Sequence, residues 1–298
     1  MNKELRNFLD NNNIIIKKIT IKHDVIIIIA DNKKFVIKKK NKELEKLFSY
    51  LNSRGFSYFP NIIYSTDNYD IYKYIEGVQL PKEEEGIDII KLLTILHSKT
   101  TYYKDVDEDY YKEIYESVID RIQYLYNYYD DMVDVINNIE YMSPSQYLFI
   151  RNISIVFQAL NYSKNNINKW YDIIKEKKRI RMVNIHNNLT LEHYILSDKP
   201  YFISWRFSKR DMPIYDIINF YKKYYNVLDF CELLRIYELH YPLLKEEKIL
   251  LFSFISIPNK IEFNDNVYDM CIKINNFYEY LSCSEKLISD INSKAEKS

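Results

Sequence analysis

The sequence predicts an α+β protein, with a small antiparallel sheet and one helix near the N-terminus followed by a long, mainly helical remainder. Three observations carry this. Residues 14–40, IIIKKITIKHDVIIIIADNKKFVIKKK, are dense in β-branched side chains and broken by His23-Asp24 and Asp31-Asn32, a pattern of three strands joined by tight turns. From Gly86 onward the apolar residues recur at helical spacing. One late stretch, residues 183–216, interrupts the helices with a strand, a His-containing loop, a hairpin and a second short strand ending at Trp205.

Composition narrows the function classes. The 298 residues carry 42 basic and 42 acidic side chains, so no bulk field draws the chain to nucleic acid or to an anionic membrane. At 47% hydrophobic with 3 glycines, it has the material for a large core and is neither a disordered nor a glycine-rich chain. The 30 tyrosines, with abundant Ile, Asn and Lys, most simply reflect an AT-rich genome; a partner interface is the other reading. Cys231, Cys271 and Cys283 are odd in number and fit no zinc or redox spacing, which fits a reduced compartment. The N-terminus lacks a signal-peptide pattern and no apolar run is long enough to span a bilayer, so a cytoplasmic protein is expected.

In chain order, residues 3–10 suit a short helix and residues 14–40 three strands. The first turn of that set contains no glycine, whereas close backbone approach to a phosphate generally needs residues without a Cβ. The segment NKELEKLFSYLNSRGF reads as a helix ended by Gly55, with strands following at about Ile62–Ser65 and Asp70–Tyr74. Gly86–Ser98 is helical and ends in Leu96-His97, where His97 is expected to be structural. Residues 106–138 form a tyrosine- and acid-rich helical region. Its carboxylates Asp107, Glu108, Asp109, Asp130 and Asp131 suit either a cationic ligand or, more simply, a wet face. Ser143-Pro144 opens another helix as N-cap and first residue. A further helix leads to the strand at Arg181–Ile185, and helical runs separated by Pro242 and Pro258 complete the chain with a polar tail.

The central stretch resembles the aminoglycoside phosphotransferase and choline kinase group, including its spore-coat CotS-type branch. There a loop reading H-G-D-x-x-x-x-N is followed by a strand ending in Asp. On that pattern His186 matches the His, Asn188 the catalytic Asp, His193 the metal-binding Asn and Ser204 the second metal-binding Asp. Asp211, Pro213 and Asp216 match a D-x-P-x-x-D sequence whose last Asp opens a helix and braces the loop. Lys38 matches the third-strand Lys that pairs with nucleotide phosphates, Glu45 (favoured over Glu43) its helical partner, and Gly77 the hinge. The resemblance implies a protein-kinase-like two-lobed fold, with a small lobe over residues 1–77 bearing a five-stranded antiparallel sheet plus one helix, and a helical lobe over 78–298.

It also implies altered chemistry. In the template an Asp accepts the substrate proton while an Asn and an Asp hold magnesium on the nucleotide phosphates. The Asn188 amide takes up no proton near neutral pH, and loss of a positioned base costs about 10²- to 10⁴-fold in rate. His193 and Ser204 replace hard carboxylate and amide oxygens with a softer nitrogen and an uncharged hydroxyl. Asn187-Asn188 reads either as a polar turn or as a ligand-bonding pair. His186 is expected to support the loop, and Glu192-His193 is a weak metal signature. Trp205 either fills the space of phosphates and magnesium or, more simply, packs in the core. The expectation is a catalytically inactive kinase-like protein that binds an unidentified protein or small-molecule partner, with no nucleic acid, membrane, metal or cofactor. The alternative is an active phosphotransferase using ATP and magnesium on a small hydroxylated or aminated metabolite.

Overall fold

The computed structural model describes residues 14, 16–22, 25–30 and 33–295; the expected helix at residues 3–10 and the turns at His23-Asp24 and Asp31-Asn32 lie outside them. The chain divides into two compact units, one comprising Met1–Pro81 with Thr190–Phe207 and the other Lys82–Leu189 with Ser208–Ser298. The expected lobes, 1–77 and 78–298, assigned the hairpin region to the helical lobe, whereas this division groups it with the N-terminal unit.

The first unit holds a five-stranded antiparallel sheet, the expected architecture. Strands β1 (Ile16–Lys22), β2 (Val25–Ala30), β3 (Lys34–Lys39), β4 (Ile62–Ser65) and β5 (Tyr69–Lys73) lie in the order β1-β2-β3-β5-β4. Side chains alternate across a strand, so Phe35 and Ile37 join Ile28 and Ile71 in a buried cluster on one face, while Val36 and Lys38 point to the other. Helix α1 (Lys42–Ser53) is capped by Asn41, which accepts from the Glu43 amide, and buries Phe48 and Leu51. It stops at Gly55, whose φ of +74° is a left-handed conformation with no side-chain penalty.

An aromatic core explains the grouping of the hairpin region. Phe48 stacks on Phe59 with ring centroids 4.3 Å apart, and the Trp205 indole meets Phe48, Phe56, Phe59 and Phe202 edge-on at 5.9–6.3 Å. Trp205 is 3% exposed and donates its indole N–H to the Phe202 carbonyl at 2.7 Å. It is thus a core residue, the simpler of its two expected roles. The hairpin of β8 (Tyr194–Leu196) and β9 (Pro200–Phe202) is tied in by Phe202 N–H to the Tyr58 carbonyl at 2.9 Å.

The second unit is helical around a short sheet. Its helices are α2 (Lys82–Thr100), α3 (Glu108–Asn137), α4 (Pro144–Arg151), α5 (Ile153–Ile174), α6 (Ile214–Tyr224), α7 (Phe230–His240), α8 (Lys245–Ser256) and α9 (Val267–Ala295). Ser143 and Gln146 form a reciprocal capping box with Pro144 inside the first turn of α4. Asp107 accepts from the Tyr110 amide as N-cap of α3, a structural duty for one member of the acid run. Strand β7 (Arg179–Ile185) pairs on one side with β6 (Tyr102–Asp105) and on the other with β10 (Lys209–Asp211). The half-buried Arg181 and the buried Glu247 form an ion pair, and the guanidinium lies over the Tyr241 ring at 4.5 Å. Among the described residues no helix is long and apolar enough to cross a membrane.

Replacing Trp205 by Ala empties the centre of the aromatic cluster and is expected to cost the N-terminal unit about 3–5 kcal/mol. Urea unfolding followed by circular dichroism measures this, and a loss below about 1 kcal/mol would show that the indole is not what holds the hairpin region.

Candidate functional site

In the second unit the loop after β7 is built around a single carboxylate. Asp216, fully buried in the first turn of α6, accepts the His186 amide at 2.8 Å and the Asn187 amide at 2.6 Å. Its Oδ2 also lies 3.2 Å from Nε2 of His97, and Nδ1 of that ring is 2.6 Å from the Tyr237 hydroxyl. Burial pushes the Tyr237 phenol well above its ordinary pKa, with neighbouring Tyr241 and Glu247 adding to the shift, so the phenol keeps its proton and donates it to Nδ1. That leaves Nε2–H of His97 to donate to Asp216, an assignment made from the network.

His186, the first residue of the loop, is fully buried, and Asn187 adopts φ +57°, a left-handed conformation that Asn tolerates better than most side chains. The Asn187 side-chain oxygen accepts from Asn219 at 3.1 Å. Asn188 follows at the position matched to the catalytic Asp, half-buried.

In the first unit the expected cation pair is rearranged. Lys38 and Glu45 were matched to the family's phosphate lysine and its helical partner, yet Glu45 pairs with Lys40 at 3.4 Å. Lys40 also reaches the Ser65 hydroxyl at 2.9 Å, and Ser65 in turn donates to the buried Asp70 at 2.7 Å. The strand-end lysine thus takes the acidic partners on this face. Among the described residues Lys38 makes no ion pair, its ammonium lying 5.8 Å from the centre of the Tyr72 ring. Burial lowers the Lys38 pKa. The Tyr72 phenol is raised, chiefly by burial and then by the charges of Asp70 and Glu45, so Glu45 does face this side of the sheet.

Gly77 has a packing reason that the sequence did not show. A Cβ there would lie 2.9 Å from Cγ2 of Ile195, and the next residue, Val78, donates its amide to Leu196 at 2.8 Å. The glycine lets the segment after β5 run against β8. His193 ends a single 3₁₀ turn capped by Thr190, and its carbonyl accepts from Ile203 at 2.9 Å, which brings its backbone beside the residue preceding Ser204. Ser204 has φ +65°, a conformation that disfavours side chains with a Cβ.

Magnesium favours hard oxygen ligands, usually carboxylates. The positions matched to the base and the two metal ligands carry an amide at 188, an imidazole at 193 and a hydroxyl at 204, none of them a carboxylate. Among the described residues no three His, Cys, Asp or Glu side chains gather to hold a metal, so Glu192, His193 and His186 form no such cluster.

Asp216→Ala strands two loop amides and His97, each unmade partnership costing about 1–3 kcal/mol. A stability loss of at least about 3 kcal/mol is expected in denaturant melts. Asn187→Ala should cost about 1–2 kcal/mol and Asn187→Gly less; equal losses would mean that the left-handed turn is not the constraint.

No protein-family model matches this chain, and no curated protein sequence matches it. Solved structures do. An aminoglycoside phosphotransferase from Alicyclobacillus acidocaldarius subsp. acidocaldarius DSM 446 superposes with a TM-score of 0.68 at 8% identity, over 95% of this chain and 93% of that one. The AMP-bound spectinomycin phosphotransferase APH(9)-Ia gives a TM-score of 0.55 at 13% identity, over 96% of this chain and 98% of that one. A choline kinase from Streptococcus pneumoniae covers 98% of both chains at 13% identity, with a TM-score of 0.47. Identities this low speak to architecture alone, and on the first two superpositions the chain has the protein-kinase-like fold of the aminoglycoside phosphotransferases.

Proposed function

We propose that this chain is a kinase-fold binding protein without phosphoryl-transfer activity, a pseudokinase of the aminoglycoside phosphotransferase type. The observation that carries the reading is the loop after β7. Its frame is held by Asp216, while the position matched to the base is the Asn188 amide, which accepts no substrate proton. The arrangement around Lys38 supports the same reading. A phosphate-pairing lysine in a kinase is oriented by its helical carboxylate, and here that carboxylate engages Lys40 instead.

The partner belongs to the proposal as well: an unidentified protein or small molecule, bound without a metal cofactor. We place the chain in the cytoplasm, in keeping with three free cysteines. The CotS-type branch and a spore-coat setting are part of this reading and rest on the motif layout alone.

The test is a thermal-shift titration with ATP, alone and with magnesium or manganese, joined to an assay of ADP release in the presence of hydroxylated and aminated acceptors. The expected result is no metal-dependent shift and no turnover. Metal-dependent ADP release that disappears in Lys38→Met would sink the proposal and establish an active phosphotransferase.

A further inference from the structure

A cavity in the helical unit is lined by none of the residues matched to the kinase motifs. It measures about 460 Å³ and opens between the C-terminal end of α6, the loop after α8 and the N-terminal half of α9. That volume suits a small ligand. Three lysines line it, Lys222 from α6, Lys260 from the loop and Lys273 from α9, and its remaining wall includes the rings of Tyr225, Phe277 and Tyr280.

Lys222 is the unusual member. It is half-buried, and among the described residues it forms no ion pair. Its pKa is lowered, first by burial and then by the positive charge of Arg121 on α3. The same Arg121 charge lowers the Tyr280 phenol, opposing the stronger effect of burial. A lysine whose charge burial opposes, set in the wall of a cavity, is the kind of perturbed group that clusters at functional sites. The nearby carboxylates do not cancel the excess. Glu262 is taken up by Lys260 at 2.9 Å, and Glu279 is felt at Tyr225.

The walls are also fixed in place. Tyr128 donates its hydroxyl to the Ile261 carbonyl at 2.6 Å, Tyr129 donates to the Asn259 carbonyl, and Lys260 sits 4.7 Å above the Tyr128 ring. Tyr225 is bonded to the Asn276 carbonyl at 3.1 Å. The lysine-bearing loop is therefore tethered to α3 before any ligand arrives, which lowers the ordering cost of binding.

We infer that this cavity binds a small phosphate monoester carrying a flat apolar group, with the phosphate among Lys222, Lys260 and Lys273 and the apolar body against the aromatic wall. A phosphate monoester brings a charge of about −1.5 to −2 near neutral pH, which suits a cluster whose basic groups outnumber its carboxylates. A carboxylate neutralises less of the excess, and inorganic phosphate leaves the aromatic wall unused.

Phenyl phosphate is the probe, measured by calorimetry on the full chain beside inorganic phosphate, phenylacetate and phenol. Phenyl phosphate is expected to bind at least tenfold more tightly than each of the other three. Lys222→Met should weaken it at least tenfold while raising the melting temperature of the ligand-free protein, because the substitution removes an uncompensated charge. Lys38→Met should leave the affinity unchanged. Undetectable phenyl phosphate binding, equal affinity for inorganic phosphate, unchanged affinity in Lys222→Met, or loss in Lys38→Met would each overturn the inference. Failure here leaves the pseudokinase reading standing, since that reading concerns turnover and not this cavity.

Discussion

The buried carboxylate of Asp216 is the constraint on which the loop geometry depends. A charge out of water is tolerated only when donors surround it, and this one receives two consecutive backbone amides and an imidazole. Its place in the first turn of α6 adds the favourable end of the helix dipole. The imidazole belongs to α2 and is held in turn by a tyrosine of α7, so one side chain fixes the start of one helix, the ends of a strand and another helix, and the face of a third. The two loop amides, the imidazole and the tyrosine hydroxyl thus form one connected network around Asp216.

Asp216 holds residues 186 and 187 through main-chain amides, contacts that do not depend on the side-chain type at either position. In the N-terminal unit the β3 lysine is present, but Lys40, two residues further on the same face, engages Glu45 and reaches Asp70 through Ser65. Lys38 is left against an aromatic ring, a weak cation–π contact at 5.8 Å.

Much of the fold was legible in the sequence because its signals were long. The β-branched run at 14–40, the capping box at Ser143 and the left-handed Gly55 act locally and read directly. Strands β6 and β10 were not foreseen: they are four and three residues long, lie at the edges of their sheet, and show no apolar alternation. The site was legible only in outline. Motif order located His186, Asn188, Lys38 and Asp216, but the exchange of Glu45 from Lys38 to Lys40 depends on which lysine reaches the first turn of α1, and two lysines of the same face look alike in a sequence. Gly77 was read as a hinge; its close approach to Ile195 comes from a residue 118 positions away.

The tyrosines, taken from composition as a mark of base bias or of a partner surface, turn out to have a further part in the fold. Burial raises the phenols of Tyr129, Tyr278 and Tyr280, so each keeps its proton and serves as a donor. Tyr129 reaches the carbonyl of Asn259, Tyr278 that of Phe149 at 2.6 Å and Tyr280 that of Ile255 at 2.8 Å, with Tyr128 holding Ile261 beside them. Each joins segments distant in the chain through a backbone acceptor that every residue type possesses. A main-chain acceptor places no demand on the side chain there, so such clamps tolerate sequence change at the receiving end. With 3 glycines in 298 residues the chain has few positions that allow close backbone approach. A long rigid side chain with a donor at its tip bridges the separation that remains, and the loop from Asn259 to Glu262 keeps its position by that means.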